Sequence, residues 1–88
     1  MSVRRVNQPM PAAVVLGGDE RPARVSWSDG VRSHRGGVVE HVIDVWYVDD
    51  AWWSDQPVQR IYYECQLEHG ARIIVVYDCH AQEWYAQR

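Results

Sequence analysis

From Val58 to Leu67 the side chains alternate, Ile61, Tyr63, Cys65 and Leu67 on one parity against Arg60, Tyr62, Glu64 and Gln66 on the other. A period of two sustained over such a stretch belongs to a strand with one wet face, whereas an amphipathic helix repeats its apolar positions at three and four. Glu68-His69-Gly70 then turns the chain. With Gly70 in the left-handed position of a three-residue hairpin loop, Leu67 faces Ala71, Cys65 faces Ile73, Tyr63 faces Val75 and Ile61 faces Tyr77, so apolar rows meet apolar rows. The opposite parity pairs Gln66 with Arg72.

The remaining 68 or so residues have to cover this hairpin, and they read as more strands (the chain has 88 residues in all, too few for two cores). In Ala23–Trp27, Arg24 and Ser26 alternate against Val25 and Trp27, and the following Ser28-Asp29-Gly30 is a strong hairpin signal. The return strand is expected at Val31–His34, closed by Arg35-Gly36-Gly37. Val38–Val48 is rich in β-branched residues and reads as one long strand. Its odd positions, Val39, His41, Ile43, Val45 and Tyr47, are the more uniformly apolar set and are assigned to the core. Asp49–Pro57 is expected to be a loop, Asp78–Gln82 a turn, and Glu83–Gln87 the last strand. Residues 1–20, with Pro9, Pro11 and Gly17-Gly18, read as an irregular leader in which only Ala12–Leu16 offers an edge strand or tether. The predicted fold is therefore all-β: a single domain over residues 21–88, a twisted antiparallel meander of five or six strands rolled into a small open barrel of the SH3-like type.

Composition narrows the function classes. A net charge of −3 with 47% hydrophobic and 24% charged residues describes a soluble globular chain without the strongly basic surface of a dedicated nucleic-acid binder. Every basic residue apart from histidine is arginine, and lysine, phenylalanine and threonine are absent, a bias that points to a GC-rich bacterial source. No apolar run approaches the ~20 residues of a membrane span, and two cysteines are too few for a secreted disulfide framework. A cytoplasmic protein is expected.

Sites for chemistry are sparse. Cys65, His69, Cys79 and His80 are zinc-ligand types, but the hairpin register puts the two sulfurs roughly 20 Å apart at ~3.3 Å per residue, too far for one metal or a disulfide. Cys79 and His80 are adjacent but have no third group to orient them as a nucleophile pair. Asp44, Asp49, Asp50 and Asp55 crowd one strand end and the loop after it, where a solvated acidic loop outweighs a cation site. The expectation is a non-enzyme with neither cofactor nor metal. The aromatic residues are the anomaly, since five tryptophans and five tyrosines are more large rings than so small a core readily hides. Trp52 and Trp53 either plug an open end of the barrel or form an exposed anchor with Trp46 or Tyr62.

The order Arg21-Pro22-Ala23-Arg24-Val25, Asp29-Gly30-Val31-Arg32, Val42-Ile43-Asp44-Val45-Trp46, Trp52-Trp53, Arg60-Ile61-Tyr62-Tyr63 and Glu83-Trp84-Tyr85 resembles a small uncharacterised bacterial β domain. That domain, of unknown function, is found alone or at the C-terminal end of ImuB-like, Y-family polymerase-related mutagenesis proteins. The resemblance implies a role in DNA repair or damage-induced mutagenesis and supplies no catalytic residue. Two functions follow as expectations. In the first, a protein partner docks on Trp46, Asp49, Asp50, Trp52, Trp53 and Asp55, rings anchoring and carboxylates steering. In the alternative, single-stranded nucleic acid lies across Arg32, Arg35, Arg60, Tyr62 and Arg72, with Glu64 and Asp78 on the same face opposing it.

Overall fold

The computed structural model describes residues 10–28, 35–50 and 58–87. They form six strands and no helix: β1 (Met10–Leu16), β2 (Pro22–Trp27), β3 (Arg35–Asp50), β4 (Val58–Leu67), β5 (Arg72–Asp78) and β6 (Glu83–Gln87). Neighbours in sequence pair antiparallel throughout, and β6 returns to β1, so the meander is a closed barrel.

The central hairpin has the register read from its alternation: Ile61 opposite Tyr77, Tyr63 opposite Val75, Cys65 opposite Ile73 and Gln66 opposite Arg72. Gly70 has φ +88° and its N–H donates to the Leu67 carbonyl at 2.9 Å. Val25, Trp27, Cys65, Leu67, Ile73, Val75 and Ala86 are buried and make one core, with Met10, Val14, Val39, Val42, Tyr63 and Trp84 packed against it. Each fully buried Leu, Ile or Val contributes about 1.5–3 kcal/mol relative to exposure. The barrel interior is thus filled by side chains of modest size. Larger rings sit towards its ends, where Trp84 leans on Tyr77 with ring centroids 4.7 Å apart and on Tyr63 at 5.8 Å.

Four expectations need correction. The barrel is closed, because Met10–Leu16 is a strand of it and not irregular leader or edge. Met10 faces Ala86 and Pro11 faces Tyr85 on one side, and Ala12–Leu16 pairs with β2 on the other. Met10, Ala12 and Val14 supply the inward row that makes this pairing favourable. Second, Arg35-Gly36-Gly37 does not end a hairpin. It opens β3, whose first residues pair with β2 (Trp27 opposite Arg35, Ser26 opposite Gly36) before the strand crosses to β4 from Val39 onward. Gly36 has φ +147°, and a Cβ there would lie 2.1 Å from the Val25 carbonyl oxygen. Only glycine lets the two backbones approach so closely.

Third, the odd-position core face of β3 holds at Val39 and Val45 but fails between them, and Tyr47, though on the inward parity, is 73% exposed. The register against β4 shifts between Val39 and His41 and again between Val42 and Asp44, so Glu40 and Ile43 are the extra residues of two bulges. Val42 takes the inward place opposite Cys65, while His41 and Ile43 are exposed. The His41 imidazole therefore has no buried nitrogen to satisfy; it lies in solvent beside the Glu40 carboxylate at 3.7 Å. Fourth, Asp49 and Asp50 belong to β3, opposite Gln59 and Val58, and not to a loop. The predicted return strand Val31–His34, the Asp29-Gly30 turn and residues 51–57 lie outside the described residues.

Candidate functional site

The registers of β3 to β6 place side chains in straight rows on the outer face of the sheet. One row reads Trp46, Tyr62, Val76, Tyr85, continuing to Pro11 on β1. Trp46 and Tyr62 stack with ring centroids 5.3 Å apart and planes only 9° from parallel. A cross-strand aromatic pair of this kind forms because directly opposed side chains on one face stand ~4.5–5.5 Å apart at Cβ. Val76 lies between Tyr62 and Tyr85 and is 3% exposed although it points away from the barrel core. An apolar row has thus formed outside the barrel, with Val76 as its floor and the rings of Tyr62 and Tyr85 on either side.

Charged rows border it. On one side Asp44 faces Glu64, and on the other Arg60 faces Asp78, which faces Glu83. Arg60 Nε stands 3.6 Å from Asp78 Oδ2. Asp78 Oδ1 meanwhile accepts the backbone N–H groups of His80 and Ala81, both at 3.0 Å, so the carboxylate both ties the β5–β6 turn and holds the guanidinium. The Tyr85 hydroxyl donates to Glu83 Oε2, and this bond, followed by burial and the charge of Glu83, raises the phenol above its ordinary value. Arg72, one row beyond Glu64, lies 3.8 Å from the Glu64 carboxylate. Among the described side chains, the outer β3–β6 face therefore carries four carboxylates, Asp44, Glu64, Asp78 and Glu83, against the two guanidiniums of Arg60 and Arg72.

The residues expected to bind a protein partner divide. Trp46 is on this face, and Asp50 is in β3 opposite Val58. Asp49 falls on the opposite parity with Tyr47 and is separated from Trp46 by the sheet. Trp52, Trp53 and Asp55 lie outside the described residues. Of the nucleic-acid set, Arg60, Tyr62 and Arg72 share the outer face as expected, and Arg32 lies outside the described residues. Arg35 instead lies at the end of the barrel, where it lines a cavity with Trp27, His69 and Arg72. Sequence reasoning missed Val76 and Tyr85. The signal was available in the hairpin register, which opposes Val76 to Tyr62.

The two cysteines are free thiols. Burial, and secondarily the charge of Glu64, pushes the Cys65 thiol up to about 11, which keeps it protonated and unreactive. Among the described residues no group of three or more His, Cys, Asp or Glu side chains is placed to hold a metal ion, and no helix is long and apolar enough to cross a membrane. No family model matches the chain, and neither does any curated protein or solved structure.

Proposed function

We propose that the protein is a non-enzymatic interaction module whose outer β3–β6 face docks a basic segment of a protein partner. The observation that supports this reading is the continuous row Trp46–Tyr62–Val76–Tyr85, assembled outside the barrel. Tryptophan and tyrosine are the side chains enriched in binding hot spots, because they bring large area with little conformational entropy to lose. The carboxylate rim sets the sign of the partner. Asp44, Glu64, Asp78 and Glu83 attract arginine and lysine, and the faces of Trp46 and Tyr62 accept the same cations. The resemblance noted above suggests where such a partner acts, in bacterial DNA repair or damage-induced mutagenesis.

Single-stranded nucleic acid is the competing occupant, since Arg60 next to Tyr62 is a stacking ring beside a cation. The face opposes it: each of its guanidiniums is within 4 Å of a carboxylate, and the surplus of acids repels phosphate. A titration with an arginine-rich extended peptide and with a single-stranded oligonucleotide, each at low and moderate salt, separates the two. Peptide binding that is lost in Trp46→Ala and Tyr62→Ala, with the oligonucleotide silent, is the expected result. Oligonucleotide binding without peptide binding overturns the assignment.

A further inference from the structure

We infer that the open edge of β1 is a self-association surface, on which β1 of a second copy of the chain pairs antiparallel about a two-fold axis through Val14. The barrel leaves two long stretches of strand with one edge unpaired among the described residues. β3 pairs with β2 only over Arg35–Val38, so its β2-side edge is open from Val39 to Asp50. β1 pairs with β6 only at Met10 and Pro11, so its β6-side edge is open from Ala12 to Leu16. The exposed large apolar side chains among the described residues, Val15, Leu16, Ile43 and Tyr47, lie on these same two stretches. The two edges are defended differently. β3 carries two bulges together with Glu40, Asp44, Asp49 and Asp50, the devices that keep a sheet edge from pairing with another chain. β1 has no charged residue, and the register shift beside Leu16 skips Ala23 of β2, which leaves β1 itself unbulged. An uncharged, unbulged apolar edge is a template for a further strand.

The features of this edge fit a second copy of β1. Beyond Pro11, opposite Tyr85, β1 and β6 part around a cleft of about 440 Å³ lined by Pro11, Ala12, Gln82, Glu83, Trp84 and Tyr85. Leu16, 46% exposed, stands at the other end of the open edge, roughly 13 Å from Ala12 at ~3.3 Å per residue. A two-fold axis through Val14 sets Ala12 opposite Leu16 of the second copy and Ala13 opposite its Val15. Each Leu16 then reaches the cleft beside the other copy's Trp84. Small faces large at both pairs, and the exposed Ala13 and Val15 of the two copies join in one apolar patch. Contacts that repeat in both directions are what an isologous dimer requires. The pairing opposes no two charges, because β1 has none, whereas the same operation on β3 would crowd its aspartates. Five residues per copy make a small interface, so dimerisation in the micromolar range is expected.

Sedimentation velocity on the full chain from about 1 μM to 1 mM tests the proposal, with a monomer–dimer equilibrium and no larger species as the expected result. Leu16→Glu, which sets a carboxylate against Glu83 across the axis, should weaken the dimer about a hundredfold, tenfold from each of two symmetric contacts. Ile43→Glu, on the β3 edge, should leave it unchanged. The register is read by mixing Ala13→Cys with Val15→Cys chains, both carrying Cys79→Ser, in a thiol–disulfide buffer. The mixed disulfide should exceed either homodimeric one, since Ala13 faces Val15 across the axis while like positions lie roughly 8 Å apart, beyond the ~7 Å that a disulfide spans. A monomer at 1 mM, growth into an open series of larger species, a dimer lost with Ile43→Glu but not with Leu16→Glu, or homodimeric disulfides as abundant as the mixed one would each overturn the assignment. Should Leu16→Glu fail to fold, the disulfide ratio decides alone.

Discussion

Gly36→Ala tests whether β3 is a single strand shared by two halves of the barrel. An added Cβ would lie 2.1 Å from the Val25 carbonyl oxygen and 2.7 Å from Ser26 Cα, and both are backbone atoms of the paired strand that cannot swing aside. The φ of +147° adds a conformation that costs an L-residue about 1–3 kcal/mol. Forcing the strands apart costs a further ~1–3 kcal/mol. A loss of about 2–6 kcal/mol removes much of the ~5–15 kcal/mol that stabilises a domain of this size, and corresponds to a fall in Tm of at least ~8 °C. Gly37→Ala is the internal control. Its Cβ meets the His69 ring at 3.5 Å, an ordinary contact, and the alanine loses less backbone entropy on folding, so stability should change by less than about 1 kcal/mol. Urea denaturation of the two variants measures the difference directly. If the two midpoints coincide, β2 does not pack against Gly36 and the crossing of β3 between sheets is misplaced.

Two further predictions follow from the packing. The raised Cys65 thiol means that the folded state prefers the protonated form; this contribution to stability is fully present below the ordinary thiol value of 9.0 and is lost as pH rises through about 11. Thermal melts between those limits should show a steeper alkaline decline for the wild type than for Cys65→Ala, with the raised Tyr63 phenol, also held up mainly by burial, adding to the decline in both. Ile43 is the unpaired residue of a bulge, so deleting it leaves Val42 opposite Cys65, Asp44 opposite Glu64 and Trp46 on the outer face and removes only a bend, whereas deleting Val45, paired with Tyr63, draws Asp44 into the inward place or slips the register. The Ile43 deletion should therefore be the more stable of the two by chemical denaturation, and the reverse order would rule out the two-bulge register.

Much of the fold is legible in the sequence wherever one strand face is wet. The β4–β5 register, the burial of Val25 and Trp27 against an exposed Arg24, and the limits of β6 follow from parity and from Gly70. Where the cause is non-local, the sequence is silent. Pro11 and the Gly17-Gly18 pair look like punctuation, yet β1 is held between β2 and β6, with Trp27 and Ala86 among its partners. Asp49 and Asp50 carry loop chemistry but continue β3 because Gln59 and Val58 lie opposite with their backbones to satisfy. In the candidate site, Trp46 and Tyr62 announce themselves as rings on the wet parity. Val76 sits in the unbroken apolar run Ile73–Tyr77, where alternation within the strand leaves no trace and only its place opposite Tyr62 marks it as outward.

The bulges explain why a partly wrong reading of β3 still puts Trp46 on the correct side. One inserted residue inverts the strand and a second restores it, so Val39, Val45 and Tyr47 keep the parity of an unbroken strand and only the segment between the bulges is reversed. Inward positions then recur as Val39, Val42 and Val45, a spacing of three that imitates a helix in the sequence while the backbone remains a strand. Each insertion also bends and twists β3, which is what a strand needs in order to pair with β2 at one end and β4 at the other. The curvature closes a narrow barrel whose fully buried side chains, Val25, Cys65, Leu67, Val75 and Ala86, are of modest size, with Trp27 the one tryptophan buried in the core among the described residues. Trp46, Tyr62 and Tyr85 are consequently left on the outer face, so the aromatic surplus of the composition and the docking face proposed here have one geometric origin.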